Sequence, residues 1–331
     1  MKHAALTVSR RALLALAAVA AGAAVVSTDA QAQAWPQKPV TLIVSQAAGA
    51  SPDVMARMLA DRLARRLGQG VIIENKPGGA NVIGATAAAR ATPDGYTFFF
   101  ATSAAMVANP FLIEKMTYDP IKDFAPVTLV TRSHQVIVAN PELPVKNLKE
   151  LIAFDKANPG KLSIAVDSPR NLAGVTAQAL NRRAGLNLVL VPYPNINVGL
   201  QDTIAGRAGI GVFSMSIVET QIREGKLRAL ALASNIRADN MPDVQAASET
   251  IPGFDFSGWF MLMAPTGTPD AIIQKMNAEV REVVKDEKIR EMGPKLGFGI
   301  ETGTPAEAAK FLQDQMDTWR KITSELGLKP Q

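Results

Sequence analysis

The residue types that perform catalysis are scarce in this chain. Histidine occurs twice, at His3 and His134, and cysteine not at all. A Ser-His-Asp set needs an imidazole as its base, and only His134 lies outside the N-terminal leader. Metal sites need clusters of His, Cys, Asp or Glu, and no such His/Cys cluster occurs. Gly160-Lys161 and Gly225-Lys226 lack the glycine five positions earlier that a phosphate-binding P-loop requires. Gly206-Arg207-Ala208-Gly209-Ile210-Gly211 precedes a strand signal instead of following one, which argues against a dinucleotide fingerprint. No catalytic residue, no metal site and no cofactor are therefore expected. The chemistry left open is capture of an anion by backbone amides.

The stretch from Val40 to Leu67 is built for that. VTLIV reads as a buried strand, followed by the small-residue turn Ser45-Gln46-Ala47-Ala48-Gly49-Ala50. A helix is expected directly after it, with Ser51 as N-cap, Pro52 in the first turn and Asp53 facing the positive helix end. Met55, Leu59, Leu63 and Leu67 share one face, and Arg57, Asp61, Arg62, Arg65 and Arg66 lie mostly elsewhere. A loop with sparsely covered amides, between a strand end and a helix N-terminus, is an anion site in outline. An ordinary βα connection has the same local pattern.

The first 34 residues stand apart from the fold. Lys2, Arg10 and Arg11 precede an apolar run from Ala12 to Val26, and Ala30-Gln31-Ala32 and Ala32-Gln33-Ala34 offer small-x-small cleavage sites. This is a cleaved export signal, too short for a stable membrane span, and it predicts a periplasmic location. Ser9-Arg10-Arg11-Ala12-Leu13-Leu14 resembles a twin-arginine signal, with ordinary secretory export as the alternative. The chain has 35 Lys and Arg against 30 Asp and Glu. Without Lys2, Arg10, Arg11 and Asp29 of the leader, 32 face 29, a charge near +3. That is too weak and dispersed for nucleic acid. No second long apolar run suggests stable insertion in a membrane. About 300 mature residues exceed what one hydrophobic core usually holds, so two lobes are expected.

In chain order, Val71 to Ile73, Tyr96 to Ala101 and Phe124 to Thr131 read as further strands, separated by helices and turns. The pattern implies a parallel sheet with helices on both faces. The same grammar restarts near His134. Strands are expected at QVIVAN, Leu162 to Val166, Leu188 to Val191, Gly209 to Phe213 and Leu227 to Ala233. Helices are expected at Leu148 to Ala157, Leu172 to Ala184, up to Gly206 and through Ile222. A segment around Trp259 to Ala264 and two helices follow, the second opened by the capping box Thr304-Pro305-Ala306-Glu307. These should return to the first lobe. The expected division is lobe 1 from residues 35–133 plus 233–331 and lobe 2 from residues 134–232, with a cleft between strand ends.

Several segments then carry a resemblance. They are Trp35-Pro36-Gln37-Lys38-Pro39, Glu74-Asn75-Lys76-Pro77-Gly78-Gly79, Pro93-Asp94-Gly95-Tyr96-Thr97 and Asn109-Pro110. Tyr118-Asp119-Pro120, Asp123-Phe124, Asn158-Pro159-Gly160-Lys161-Leu162 and Val191-Pro192-Tyr193 follow in order. Gly225-Lys226-Leu227-Arg228-Ala229-Leu230-Ala231, Gly267-Thr268-Pro269 and Thr304-Pro305 complete the series. In this order the chain resembles the extracytoplasmic solute receptors of the tripartite tricarboxylate transport family, the Bug-type receptors. The resemblance implies a two-lobed α/β fold of the type II periplasmic binding proteins, each lobe a mainly parallel sheet flanked by helices. It implies a monomer that closes around a small organic anion and delivers it to the membrane subunits of a transporter. The alternative output is a ligand-sensing receptor that presents its closed form to a sensor kinase.

The same resemblance points to the loops at Gln46 to Ser51, Gly78 to Asn81, Thr102-Ser103, Asp167 to Asn171 and Tyr193 to Asn197. The expected ligand contacts are Gln46, Ala47, Ala48, Gly49, Ser51, Gly79, Asn81, Thr102, Ser103, Asp167, Ser168, Arg170, Tyr193 and Asn195. Three loops depart from the family pattern. Ser45-Gln46-Ala47-Ala48-Gly49-Ala50 stands where Pro-Phe-Ala-Pro-Gly-Gly is usual, and Val191-Pro192-Tyr193-Pro194-Asn195 lacks the usual lysine. Asp167-Ser168-Pro169-Arg170 replaces a Ser-Gly-rich turn. Arg170 has two readings: a solvated partner of Asp167, or a fork for a second ligand carboxylate. Asp119, Asp123 and Asp243 read as turn caps, His134 as a structural residue near the lobe junction, and Trp259 and Trp319 as core.

Overall fold

The computed structural model describes residues 35–193, 195–238, 240–295 and 298–331. The expected export signal with its expected cleavage sites, residues 1–34, and Pro194 lie outside the described residues. The chain separates into a short N-terminal unit and a second unit from Lys38 to Gln331, which carries the architecture below.

The strongly periodic segments form as their patterns demand. β1 (Val40–Val44) is buried and apolar, and α1 (Ser51–Leu67) buries Met55, Leu59, Leu63 and Leu67. Each such side chain contributes about 1.5–3 kcal/mol on leaving water. Gly68 ends the helix in the left-handed conformation. β2 (Val71–Asn75), a 3₁₀ turn (Gly79–Asn81) and α2 (Val82–Ala89) follow. β3 (Thr97–Thr102) leads into a π turn (Ala104–Ala108), α3 (Asn109–Leu112) and β4 (Phe124–Ser133).

His134, buried, is the single residue between β4 and β5 (Gln135–Ala139). Then come α4 (Leu148–Ala157), β6 (Ser163–Val166), α5 (Leu172–Ala184), β7 (Val189–Pro192) and α6 (Ile196–Ile204). β8 (Ile210–Ser214), α7 (Met215–Arg223) and β9 (Arg228–Leu232) complete this run. The last part holds β10 (Gly258–Pro265), α8 (Asp270–Val283), α9 (Glu287–Lys295), β11 (Phe298–Ile300) and α10 (Pro305–Glu325).

Two sheets result, ordered β11-β4-β10-β3-β1-β2 and β7-β6-β8-β5-β9. Both are mixed, which corrects the expectation of mainly parallel sheets. β1 pairs in parallel with β2 and β3, but β10 runs antiparallel between β3 and β4, and β11 antiparallel to β4. In the second sheet β6 is parallel to β7 and β8, whereas β5 is antiparallel to β8 and β9. A helix between neighbouring strands enforces parallel pairing. β5 and β10 are the strands that enter after the chain has changed sheets, so no such crossover governs them.

Two local expectations also change. The cap of α1 is Ala50, without a side-chain hydrogen bond, and Ser51 is the first helical residue. Asp53 in the first turn braces the preceding loop instead, its carboxylate accepting from Gly49 N–H at 2.8 Å. The C-terminal part holds α9 and β11 in addition to the two expected helices. Thr304 caps α10, with Glu307 N–H on Thr304 Oγ1 at 3.2 Å and Thr304 N–H on Glu307 at 2.7 Å. Trp259 and Trp319 are 1% and 3% exposed and pack in the core.

Next to the sheet junction sits Arg132 on β4, almost fully buried. It donates to Glu301 through Nε (2.8 Å) and Nη2 (3.2 Å), and to Asn235 Oδ1 (2.9 Å). Asp255 Oδ2 is 3.5 Å away and the Phe311 ring 4.9 Å. The charge is thus paired where water cannot solvate it.

Candidate functional site

The loops after the strand ends do not behave alike. In the loop after β1, Asp53 is 1% exposed and fully engaged. It accepts from Gly49 N–H (2.8 Å), Arg57 Nε (3.0 Å) and Asn75 Nδ2 (2.8 Å). Burial pushes the Asp53 carboxyl up, but the hydrogen bonds from Arg57, Gly49 and Asn75 and the Arg57 charge outweigh it, so it titrates below the usual carboxylate range. Asn75 Nδ2 also closes on Gln46 O at 3.0 Å, and Ala50 N–H on Ala47 O at 3.1 Å. The positive end of α1 is therefore already neutralised from within, and its amides are less free than the sequence suggests.

A cavity of about 500 Å³ opens instead between loops of the two sheets. Ala80, Asn81, Ser103, Ala104, Ala108 and Asn109 line it from the first sheet, with Leu112 and Ile113. Asp167, Arg170, Asn171 and Leu172 line it from the second, and Trp319 of α10 contributes from the core. Of the expected contacts, Asn81, Ser103, Asp167 and Arg170 come together here. Gln46, Ala47, Ala48, Gly49, Ser51, Gly79, Thr102, Ser168, Tyr193 and Asn195 are not among its lining residues.

Each of the two groups has a local cause. Ala80 and Asn81 hold φ of 51° and 79°, a left-handed backbone that costs a residue with a Cβ about 1–2 kcal/mol. Neighbours hold it: Asn109 Nδ2 donates to Ala80 O at 2.6 Å, and Ser45 Oγ to Asn81 Oδ1 at 3.1 Å. Ser103 sits where β3 turns into the π turn, and π turns concentrate at functional sites. Tyr118 fixes that turn through Oη to Ala105 O at 2.5 Å, and burial pushes its phenol up to about 12. Thr102, by contrast, is buried and accepts from Ala105 N–H at 3.3 Å.

On the opposite wall, Asp167 accepts from Ser168 N–H (2.7 Å) and Asn171 Nδ2 (3.0 Å). Ser168 Oγ accepts from Arg170 N–H at 3.3 Å. Among the described residues Arg170 forms no ion pair with Asp167. Its Nη2 donates to Leu112 O (3.1 Å) and Lys329 O (3.0 Å), so it reaches across the cavity mouth to backbone carbonyls. α5 begins at this wall. Its cap residue Asn171 makes no side-chain bond to the helix, which leaves the N–H groups of Leu172, Ala173 and Gly174 without a side-chain cap. Tyr193 and Asn195 serve their own segment. Tyr193 Oη donates to Asp202 at 2.8 Å, and partial burial and that bond raise its phenol. Asn195 Oδ1 caps α6 through Asn197 N–H at 3.1 Å.

Sequence reasoning missed Ala104, Ala108, Asn109, Leu112, Ile113, Leu172 and Trp319. Asn109-Pro110 carried a turn motif only, Leu172 read as the first residue of a helix and Trp319 as packing. A second cavity, about 520 Å³, lies beside the β4–β5 junction and is lined by Arg132, His134, Arg237 and Glu301 among others. Arg132 is paired with Glu301, Arg237 with Glu249, and Lys285 on its wall with Glu282. Most of its charged side chains are thus already ion-paired, so the first cavity is the better ligand site. Among the described residues no cluster of His, Cys, Asp or Glu could hold a metal, and no helix is long and apolar enough to cross a membrane.

Known proteins share this arrangement. Protein BugT of Bordetella pertussis is 32% identical over 319 residues, spanning 96% of this chain and 98% of that protein. A structure described as a periplasmic transporter is 34% identical, covers 89% of this chain and 99% of its own, and superposes with a TM-score of 0.70. An R. palustris protein solved with adipate is 26% identical, with 90% and 100% coverage and a TM-score of 0.71. The two-lobed fold of periplasmic binding proteins is thus the fold of this chain. The family described as tripartite tricarboxylate transporter family receptor matches residues 55–328, and the chain belongs to that family of solute receptors.

Proposed function

We propose that this protein captures a small organic acid in the 500 Å³ cavity and delivers it to the membrane subunits of a tripartite tricarboxylate-type transporter. The observation that carries the reading is the first turn of α5. It has no side-chain cap, and its start, Asn171 and Leu172, lines the cavity together with Asn81 and Ser103. An anion there meets the positive helix end, typically worth 0.3–1 kcal/mol and more when partly buried. The ligand carboxylate binds at these amides, with the Asn81 amide and the Ser103 hydroxyl completing its shell.

The lobes in this proposal are residues 35–133 plus 233–331 and residues 134–232. Each of the two sheets falls within one of them. The N-terminal 34 residues direct export and are cleaved, so the mature receptor works in the periplasm as a monomer. Ligand leaves as it arrived, without chemical conversion. A thermal-shift screen of the mature protein against C4–C6 carboxylates tests the binding step. A ligand at a hundredfold excess over its Kd should stabilise by about 2.7 kcal/mol. Absence of any shift across such a screen would remove the organic-acid reading.

A further inference from the structure

The charged side chains among the cavity's described lining residues are Asp167 and Arg170, and they are committed to different degrees. Both hydrogens of Arg170 Nη2 go to backbone carbonyls, Leu112 O on the opposite wall at 3.1 Å and Lys329 O of the C-terminal segment at 3.0 Å. Asp167 accepts one hydrogen bond per oxygen, from Ser168 N–H and from Asn171 Nδ2, although each carboxylate oxygen has room for two. It forms no ion pair among the described residues. The neutral amide Asn109 is spent on Ala80 O.

We propose that Asp167 is the specificity-determining residue of this cavity and receives a hydrogen-bond donor on the ligand, an ammonium or a primary amide. The ligand class is then a zwitterion or a half-amide, with its carboxylate at the first turn of α5 and its donor end on Asp167. This rests on the reading of the cavity as an organic-acid site. A symmetric dicarboxylate would set its second carboxylate near Asp167, where like charges repel in a half-buried place. The cation among the described lining residues, Arg170, already donates through Nη2 to Leu112 O and Lys329 O. An ammonium reverses the sign of that interaction and adds a charge-assisted hydrogen bond, while an amide supplies the donor without charge.

Calorimetry with three matched pairs of probes at pH 7 tests this: succinate and adipate, succinamate and adipamate, 4-aminobutyrate and 6-aminohexanoate. Wild type should bind at least one half-amide or zwitterion tenfold or more tighter than the dicarboxylate of the same length. Asp167→Asn keeps an acceptor for Ser168 N–H and should shrink that ratio at least fivefold, chiefly by improving the dicarboxylate. Arg170→Ala should leave the ratio within twofold. Equal binding of dicarboxylate and donor-bearing partner by wild type overturns the assignment without any variant. So does a loss confined to dicarboxylates in Arg170→Ala, which would make Arg170 the second contact. Preference for the half-amides over the zwitterions assigns an amide donor, and the reverse order an ammonium. If none of the six binds, the organic-acid reading falls and this inference with it.

Discussion

The N-termini of α1 and α5 look interchangeable at the level of local pattern. Each follows a buried strand and a short polar turn, and each carries an acidic residue nearby. They end in opposite states. At α1, Asp53 sits inside the first turn and takes Gly49 N–H, Arg57 and Asn75, so the helix end is neutralised and the loop is braced. At α5, Asp167 lies five positions before the helix start and spends itself on Ser168 and Asn171, and the helix end opens on the cavity uncapped. A strand–turn–helix unit is thus a scaffold or an anion site according to where its carboxylate stands. Seven positions of shift relative to the helix start decide between them, because the helix field acts mainly within the first turn.

The largest expected effect comes from breaking the α5 side. A Cβ at Gly174 would stand 1.9 Å from Ser168 O and 2.6 Å from Pro169 Cα, both backbone atoms. Gly174→Ala should therefore lower stability by about 3 kcal/mol and abolish binding, read as a urea midpoint and a titration. A wild-type midpoint would mean the 168–169 loop does not pack on α5 as described.

Removing the brace at α1 comes second. Asp53→Ala leaves Gly49 N–H and one hydrogen of Asn75 Nδ2 unpaired and should cost about 2 kcal/mol at pH 7, with ligand affinity preserved. Because the folded Asp53 titrates below its ordinary 3.8, its contribution is present above that pH and is lost as pH falls through the folded value. The gap between wild type and variant should be full at pH 6–7 and close below about pH 4. A gap that persists unchanged into acid would show that packing, not the charge, is lost.

Asn171→Asp makes α5 resemble α1 by placing a carboxylate at its cap. Organic-acid affinity should fall about tenfold, or 1.4 kcal/mol, with the melting temperature nearly unchanged. Undiminished affinity would move the ligand's carboxylate away from this helix end.

Gly49→Ala is the mildest. Gly49 holds φ of +83° with nothing within 4 Å of an added Cβ, so the cost is backbone strain of about 1 kcal/mol. Affinity should stay within threefold. A larger loss would bring the first loop into the ligand's shell.

How much was legible follows the range of the interactions concerned. The sequence by itself determined what neighbours three or four positions apart can settle. Met55, Leu59, Leu63 and Leu67 mark the buried face of α1, and Thr304 with Glu307 marks the start of α10. Helix α5 spans Leu172 to Ala184 as its pattern predicts, and Asp119 caps its turn through Ile121 N–H and Lys122 N–H. Candidate loops were legible too, since they are strand ends. What only the tertiary structure decided is which loops meet. β10 enters antiparallel between β3 and β4 because the chain returns from the other sheet, and periodicity carries no direction. Arg170 finds carbonyls 58 and 159 positions away, which no local spacing encodes. Trp319 reads as core by its period and is core, yet one edge of it faces the cavity, because a core residue becomes a wall wherever packing stops.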